Sequence, residues 1–338
     1  MSTRRYPHLA CLLLALACFS SLAHAATPPR VSGMVYADLQ DQLHGHTVAS
    51  GSSSFRFRRV YLTVDQDLDS VFAMRITLEG DDNELTSKGR GAIFMKQAFL
   101  RWNTHRATGD VIMGLSPTPT WSFAESFWGY RSLEKTIMDV QGFGTATDMG
   151  VALQRSPDTS HPLGWHAMLS NGAGPRPENS AGKKLTLSLP YRRGDVGVEL
   201  MGDYEDERGV RDRWTTKLFA GWMHAQDAVG VELYRRVAMR AGTALADVVP
   251  VGVSAFARKS LNDHWRGIAR VDWTDPDRNV SDAGYRELMT LLALDATPSA
   301  NVHLMPNVMM RNYVAKGAGV PDRKADVNLR LTLWWNYR

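Results

Sequence analysis

A row of cations at alternate positions is the part of this sequence that could do chemistry. Arg59, Arg75, Arg101, Lys217, Arg258, Arg266, Arg270, Arg311 and Arg330 each fall out of phase with an apolar run. Carboxylates share that phase at Glu79, Glu199, Asp203, Glu232, Asp272, Glu287 and Asp295. A guanidinium stays charged at physiological pH and offers a planar donor fork to phosphate or carboxylate. A row of such groups along a wet passage lowers the barrier for an anion without trapping it. The two signs nearly balance, so a second reading stays open: the arginines pair with wall carboxylates and leave a weakly selective hole.

A second concentration of chemistry lies at 116–146. It holds Trp121, Phe123, Phe127, Trp128 and Tyr130, together with Glu125, Arg131, Glu134, Lys135 and Asp139. On a surface, so many rings would make an exposed apolar patch. Packing the segment inside an enclosing wall removes that problem and makes it a constriction. Arg131 and Lys135 are then expected on its anion side. Packing against a partner subunit is the alternative.

Catalytic patterns are absent by comparison. The sequence shows no Gly-flanked nucleophile, no phosphate-cradling loop and no carboxylate cluster. His44-Gly45-His46 has no third ligand nearby, and His105, His161, His166, His224, His264 and His303 are scattered singly. The expectation is a chain that is not an enzyme and carries no metal and no cofactor.

The elements that position these groups follow a period of two. Val60, Leu62 and Val64 share a face opposite Arg59, Tyr61, Thr63 and Asp65. Phe72, Met74, Ile76 and Leu78 lie opposite Arg75, Thr77 and Glu79, and Val327 to Tyr337 repeats the scheme near the C-terminus. About sixteen strands are predicted: 31–40, 54–68, 70–80, 92–103, 110–115, 147–156, 163–170, 182–190, 195–204, 213–223, 226–237, 249–259, 262–274, 285–296, 299–312 and 324–338. Longer connections at 41–53, 81–91, 116–146, 171–181, 205–212, 238–248, 275–284 and 313–323 alternate with tight turns. Long loops on one side and short turns on the other mark an all-β, antiparallel, up-and-down transmembrane barrel. A soluble sandwich also alternates, but it does not sustain that rhythm. It also leaves unexplained the aromatics near strand ends, Trp102, Trp165, Trp214, Trp222, Trp265, Trp273, Trp334, Trp335 and Tyr337, which suit membrane interfaces.

Composition agrees. The chain has 338 residues, 44% hydrophobic and 22% charged, with net charge +4. Nine of its 39 cationic residues are Lys and no basic run occurs, so nucleic acid is not an expected partner. Arg4 and Arg5, the apolar run Leu9 to Ala17 and Ala23-His24-Ala25 read as an export leader over residues 1–25. Both cysteines, Cys11 and Cys18, fall inside it, so residues 26–338 hold no disulfide or thiolate site.

Between 55 and 155 the sequence resembles a known family. Phe55 to Val64, Phe72 to Glu79, and Lys96-Gln97-Ala98-Phe99-Leu100-Arg101-Trp102 are similar to consecutive early strands of the phosphate-selective porin O/P family. Gly114 to Pro117, Glu125 to Lys135, and Asp148 to Val151 resemble the stretch around that family's long inward loop. The resemblance implies a sixteen-stranded homotrimeric porin of the Gram-negative outer membrane. It further implies an inward third loop and passive diffusion of small hydrophilic solutes, phosphate or other small anions among them. The alternative is a non-transport barrel, enzyme or adhesin, whose lumen that loop plugs. Lys is scarcer here than in the family, and the chain ends on Arg338 rather than the usual Phe.

Overall fold

In the computed structural model of the chain, residues 27–46, 51–104, 107–178, 181–206, 212–239 and 246–338 are described. The expected leader 1–25, His105 and parts of the loops at 41–53, 171–181, 205–212 and 238–248 lie outside the described residues.

The alternating segments close on themselves. Among the described residues sixteen strands form one antiparallel barrel, each paired with its sequence neighbours and the first with the last. They are β1 (Arg30–His44), β2 (Ser52–Asp67), β3 (Phe72–Leu85), β4 (Gly91–Trp102), β5 (Asp110–Pro117), β6 (Thr147–Arg155), β7 (Trp165–Ser170) and β8 (Lys184–Arg193). The second half is β9 (Val196–Glu205), β10 (Arg213–His224), β11 (Asp227–Ala238), β12 (Val251–Ser260), β13 (Trp265–Asp275), β14 (Tyr285–Ser299), β15 (Val302–Ala315) and β16 (Asp326–Tyr337). Two short helices, α1 (Ser122–Trp128) and α2 (Ile137–Val140), lie between β5 and β6. Closure leaves the sheet no free edge, which hydrocarbon, offering no hydrogen bonds, would demand of a sheet placed within it.

The apolar stripe points outward. Leu292 is 52% exposed and Leu200 55%, whereas their inward neighbours Leu291 and Glu199 are buried. An Arg or Lys turned outward at the bilayer midplane would cost about 2–4 kcal/mol. Trp102, Trp214, Trp222, Trp265 and Tyr337 stand on the outward face. Trp334 does not; it turns inward and stacks on His303 with ring centroids 4.2 Å apart.

Three connections differ from expectation. The segment 81–91 is not a long loop: β3 runs on to Leu85 and turns at 86–90, where the Gly89 N–H donates to the Thr86 carbonyl at 2.9 Å. Arg192 and Arg193 remain in β8, and the turn is Gly194-Asp195. Pro298 lies within β14, and the turn is Ala300-Asn301. In each case pairing with the next strand extends the ladder past the residues that looked like punctuation.

Several register shifts break the period, and two of them are β-bulges that re-aim cations. Between β1 and β2, Tyr36 pairs with Arg59 and Ala37 with Phe57, leaving Arg58 as the extra residue. Between β3 and β4, Thr77 pairs with Gln97 and Leu78 with Met95, leaving Lys96 extra. A bulge sets two consecutive residues against one partner and re-aims a side chain. Arg58 and Arg59 therefore both reach inward partners, and so do Lys96 and Gln97.

Candidate functional site: a lumen divided by an inward loop

The connection from β5 to β6 folds into the barrel. Phe127, Leu133 and Met138 are fully buried, and Trp121, Trp128, Tyr130 and Ile137 nearly so. The wall makes room for them. Gly197 of β9, Gly221 of β10 and Gly230 of β11 lie in one register row that continues into Phe256 of β12. A Cβ on Gly197 would stand 2.3 Å from the Phe127 ring, and one on Gly221 would stand 2.9 Å from it. Phe127 settles against Phe219 at 5.2 Å between centroids, and Trp128 against Phe256 at 5.2 Å. Phe123 meets Phe127 at 5.3 Å and Phe219 at 6.0 Å.

Wall cations then tie down the loop backbone. Lys217 Nζ donates to the Thr120 carbonyl at 2.6 Å and pairs with Glu199 at 2.7 Å. Arg330 donates to the Leu133 carbonyl at 3.0 Å and to Asn307 Oδ1 at 2.9 Å. Arg270 donates to the Lys135 carbonyl, forks onto Asp272 at 2.6 and 2.8 Å and lies 5.1 Å from the Trp128 ring centroid. Tyr130 donates to Asp295 at 2.7 Å, and Arg266 donates to the Tyr130 oxygen at 2.7 Å and to Asp295 at 3.2 Å. Trp128 Nε1 donates to the Glu134 carbonyl at 2.8 Å.

Four of the loop's own charges are paired with one another. Arg131 meets Glu125 at 3.0 Å and Asp139 at 2.6 Å, while Lys135 reaches Asp139 at 3.8 Å. Burial works against the Arg131 charge, but Glu125 and Asp139 outweigh it and hold its pKa above the ordinary guanidinium value. Burial alone would lift the Glu134 carboxyl. Arg330 and the Lys135 N–H outweigh that and hold it below the ordinary carboxylate range. Burial, then the charge on Asp295, pushes the Tyr130 phenol up.

The eleven cations expected along the wall and loop thus fall into groups. Lys217, Arg266, Arg270 and Arg330 lie under the loop as its anchors. Arg59 pairs with Glu79 at 2.7 Å in the opposite half. Arg75 pairs with Asp65 at 2.6 Å and keeps 41% of its side chain exposed; Arg101 lies 3.8 Å from Asp110 and keeps 46%. Arg311 lies 3.8 Å from Glu287. Arg131 and Lys135 are on the loop, and Arg258 abuts Gly129 at the end of α1.

Period-two reading missed several groups. Arg58 meets Asp38 and the Ser132 carbonyl, and Lys96 meets Glu79 at 2.9 Å. Both were hidden by the bulges. Arg56 forks onto Asp82 at 2.8 and 2.9 Å. Lys184 meets Asp203 at 3.1 Å. Arg192 lies 5.2 Å from the Phe127 ring centroid and lines a hollow of about 300 Å³ with Arg155, His166, Ser126 and Glu199, the last of which is held by Lys217. Its strand phase on β8, with Lys184, Thr186 and Ser188, was the available signal. Among the described residues neither Arg192 nor Arg258 has a carboxylate in salt-bridge contact; Arg258 Nη2 instead lies 3.0 Å from Met223 Sδ. The same residues hold no group of three or more metal-ligating side chains.

No protein-family model matches the chain, and no curated protein matches it. Solved structures do. The chain is similar to an anion-selective porin from Comamonas acidovorans, with 12% identity and a TM-score of 0.68 over 92% of this chain and 100% of that one. It is similar to the outer membrane channel DcaP of Acinetobacter baumannii, with 12% identity and a TM-score of 0.65 over 94% and 99%. Salmonella typhi OmpF, solved with daunomycin, gives 9% identity and a TM-score of 0.63 over 91% and 97%. At such identities the likeness is one of architecture, and the chain has the closed β-barrel fold of Gram-negative outer-membrane porins.

Proposed function

We propose that this chain is an outer-membrane porin: a water-filled passage for passive diffusion of small hydrophilic solutes, with a preference for anions, phosphate among them. The observation that carries the preference is the pair Arg192 and Arg258. They flank the end of α1 from β8 and β12 without a carboxylate in contact. Unneutralised guanidiniums beside a narrowed aqueous space raise the local anion concentration. Arg59 and Lys96 add to the same sign, because the two share the single carboxylate of Glu79. The exposed Arg75 and Arg101 extend the cationic side along β3 and β4. The similarity to an anion-selective porin supports the same reading. Export by the leader 1–25 and assembly as a homotrimer in outer-membrane lipid belong to the proposal. One similar structure is described as a trimer form, and Phe55 of β2 is 87% exposed on the outward face.

The test is electrical. The purified full chain in a planar bilayer should give stepwise conductance, with a reversal potential in a KCl gradient displaced toward the chloride equilibrium value. The double variant Arg192→Ala/Arg258→Ala should bring that potential toward zero. An unchanged potential would remove the two arginines from the account. Absence of steps in a correctly folded sample would favour a plugged, non-transport barrel.

A further inference from the structure

The outward face carries a cationic hollow at the long-loop rim, between the ends of β13, β14 and β15. Arg286 pairs in register with Val314, and its guanidinium reaches Asp275 at the end of β13. Trp273, Leu288 and Asn312 form a row two residues nearer the mid-barrel. Arg286 shares its phase with Leu288, Leu292 and Leu294, the lipid-facing residues of β14. It is therefore an arginine aimed away from the lumen, 3.2 Å from Asp275 and with 41% of its side chain exposed. Arg278 of the β13–β14 loop completes the hollow, which has a volume of about 470 Å³ and also takes in Ser281.

The hollow is preorganised. Lys316 pairs with Asp275 and donates to the Val280 carbonyl at 3.0 Å and to the Asp277 carbonyl. Asp277 accepts from the Val249 N–H at 3.0 Å, and the Arg278 N–H donates to the Val249 carbonyl at 2.9 Å. The loop that carries Arg278 is thus fixed on both sides. Lys316 occupies Asp275 as well, so the Arg286 charge is only partly compensated. Arg278 is exposed, and among the described residues no carboxylate is in salt-bridge contact with it.

Outward cations in a hollow whose apolar lining is Trp273, Val280 and Val314 match one chemistry: an anionic head on a hydrocarbon tail. Two guanidiniums favour phosphate, which accepts forked donors. Trp at such a level marks the boundary between headgroup and hydrocarbon. We propose that Arg278 and Arg286 form a binding site for a phosphorylated lipid headgroup of the outer leaflet, with the acyl chain lying along Trp273 and Val314. This rests on the barrel standing in a membrane with its long loops outward, and it does not require that the lumen conduct.

The test uses the full chain in detergent, titrated with three probes: a bis-phosphorylated glucosamine glycolipid, the same lipid with its phosphates removed, and inorganic phosphate. Native mass spectrometry should show retention of the phosphorylated lipid alone. Arg278→Ala/Arg286→Ala should weaken it by about a hundredfold or more, as expected for two charge-assisted hydrogen-bonding groups. Arg278→Lys/Arg286→Lys, which keeps the charges, should bind at an intermediate level. Equal retention of the dephosphorylated lipid, or undiminished retention by the Ala double variant, would overturn the site. Retention of free phosphate as strong as that of the lipid would overturn the role of the apolar lining. Conductance of the same variants separates this inference from the channel reading: a conducting barrel that fails to retain the lipid sinks the site alone, and a lipid-retaining barrel without conductance sinks the channel alone.

Discussion

Arg59 on β2 and Lys96 on β4 hold opposite oxygens of one carboxylate, Glu79 on the strand between them. Arg59 Nε lies 2.7 Å from Oε1 and Lys96 Nζ 2.9 Å from Oε2. Each cation stands beside a bulge, so the shared carboxylate links two irregularities on neighbouring strand pairs. The cluster has two positive charges for one negative charge in a mostly covered site. Its excess is what a passing anion would meet.

Glu79→Gln removes the only negative charge of that trio. The reversal potential in a KCl gradient should move further toward the chloride value, and Lys96→Met should move it back toward zero. Leaving two cations without their counter-charge should destabilise the barrel by about 3–5 kcal/mol, read as a lower thermal midpoint. A potential unmoved by both substitutions would show that the trio does not face the conducting path.

How much of this was legible beforehand depends on whether a local rule was obeyed. The strand pattern was readable because every strand of the closed barrel has one apolar outward face and one mostly polar inward face, so period two runs throughout. The phases of Arg75, Lys217, Arg270 and Arg330 followed from it. Arg58 and Lys96 did not, because a bulge is set by pairing with the neighbouring strand and leaves no fixed mark in the residue types. The division of the cations was also invisible. Lys217 and Arg192 have the same phase in the alternation, but only the fold shows that the loop backbone covers one and leaves the other lining an open hollow. The row Gly197, Gly221, Gly230 was a missed signal: three inward glycines on consecutive strands mark a wall that something must approach closely.

Lys217→Met tests whether the anchors set the width of the passage. It unpins Thr120 and strands the Glu199 carboxylate, which keeps only Ser188 at 2.6 Å. A loss of about 3–5 kcal/mol is expected from breaking one side of a buried pair. Single-channel conductance should rise as the loop loosens. The double variant Lys217→Met/Glu199→Gln should recover most of the stability while conductance stays raised. Recovery of both together would mean that the pin on Thr120 is irrelevant.

Acid should loosen the loop through Glu134. Its carboxyl lies below the ordinary range when folded, since Arg330 and the Lys135 N–H outweigh burial. A depressed carboxyl stabilises the folded form above its unfolded pKa, and that contribution is lost as pH falls through the folded value. Protease cleavage within 116–146 should therefore increase as pH falls below the ordinary glutamate value of about 4.3. Glu134→Gln should cleave more readily already at neutral pH and change less on acidification. An identical acid profile in the variant would assign the effect to another group.

Gly221→Leu tests the glycine floor. The mid-barrel position accepts any side chain as far as the ladder is concerned, since Gly221 pairs regularly with Gly197 and Gly230. What forbids one is the loop: a Cβ there would stand 2.8 Å from Phe219 and 2.9 Å from Phe127. A leucine must therefore displace α1 rather than break the sheet. Overpacking of this kind costs about 1–3 kcal/mol, which a sixteen-stranded barrel can absorb. The variant should fold, conduct more and show a weaker dependence on Arg258, because α1 no longer presents Gly129 to that guanidinium. Wild-type conductance in a folded Gly221→Leu barrel would mean that α1 tolerates the crowding without moving, and that the floor does not set how deeply the loop sits.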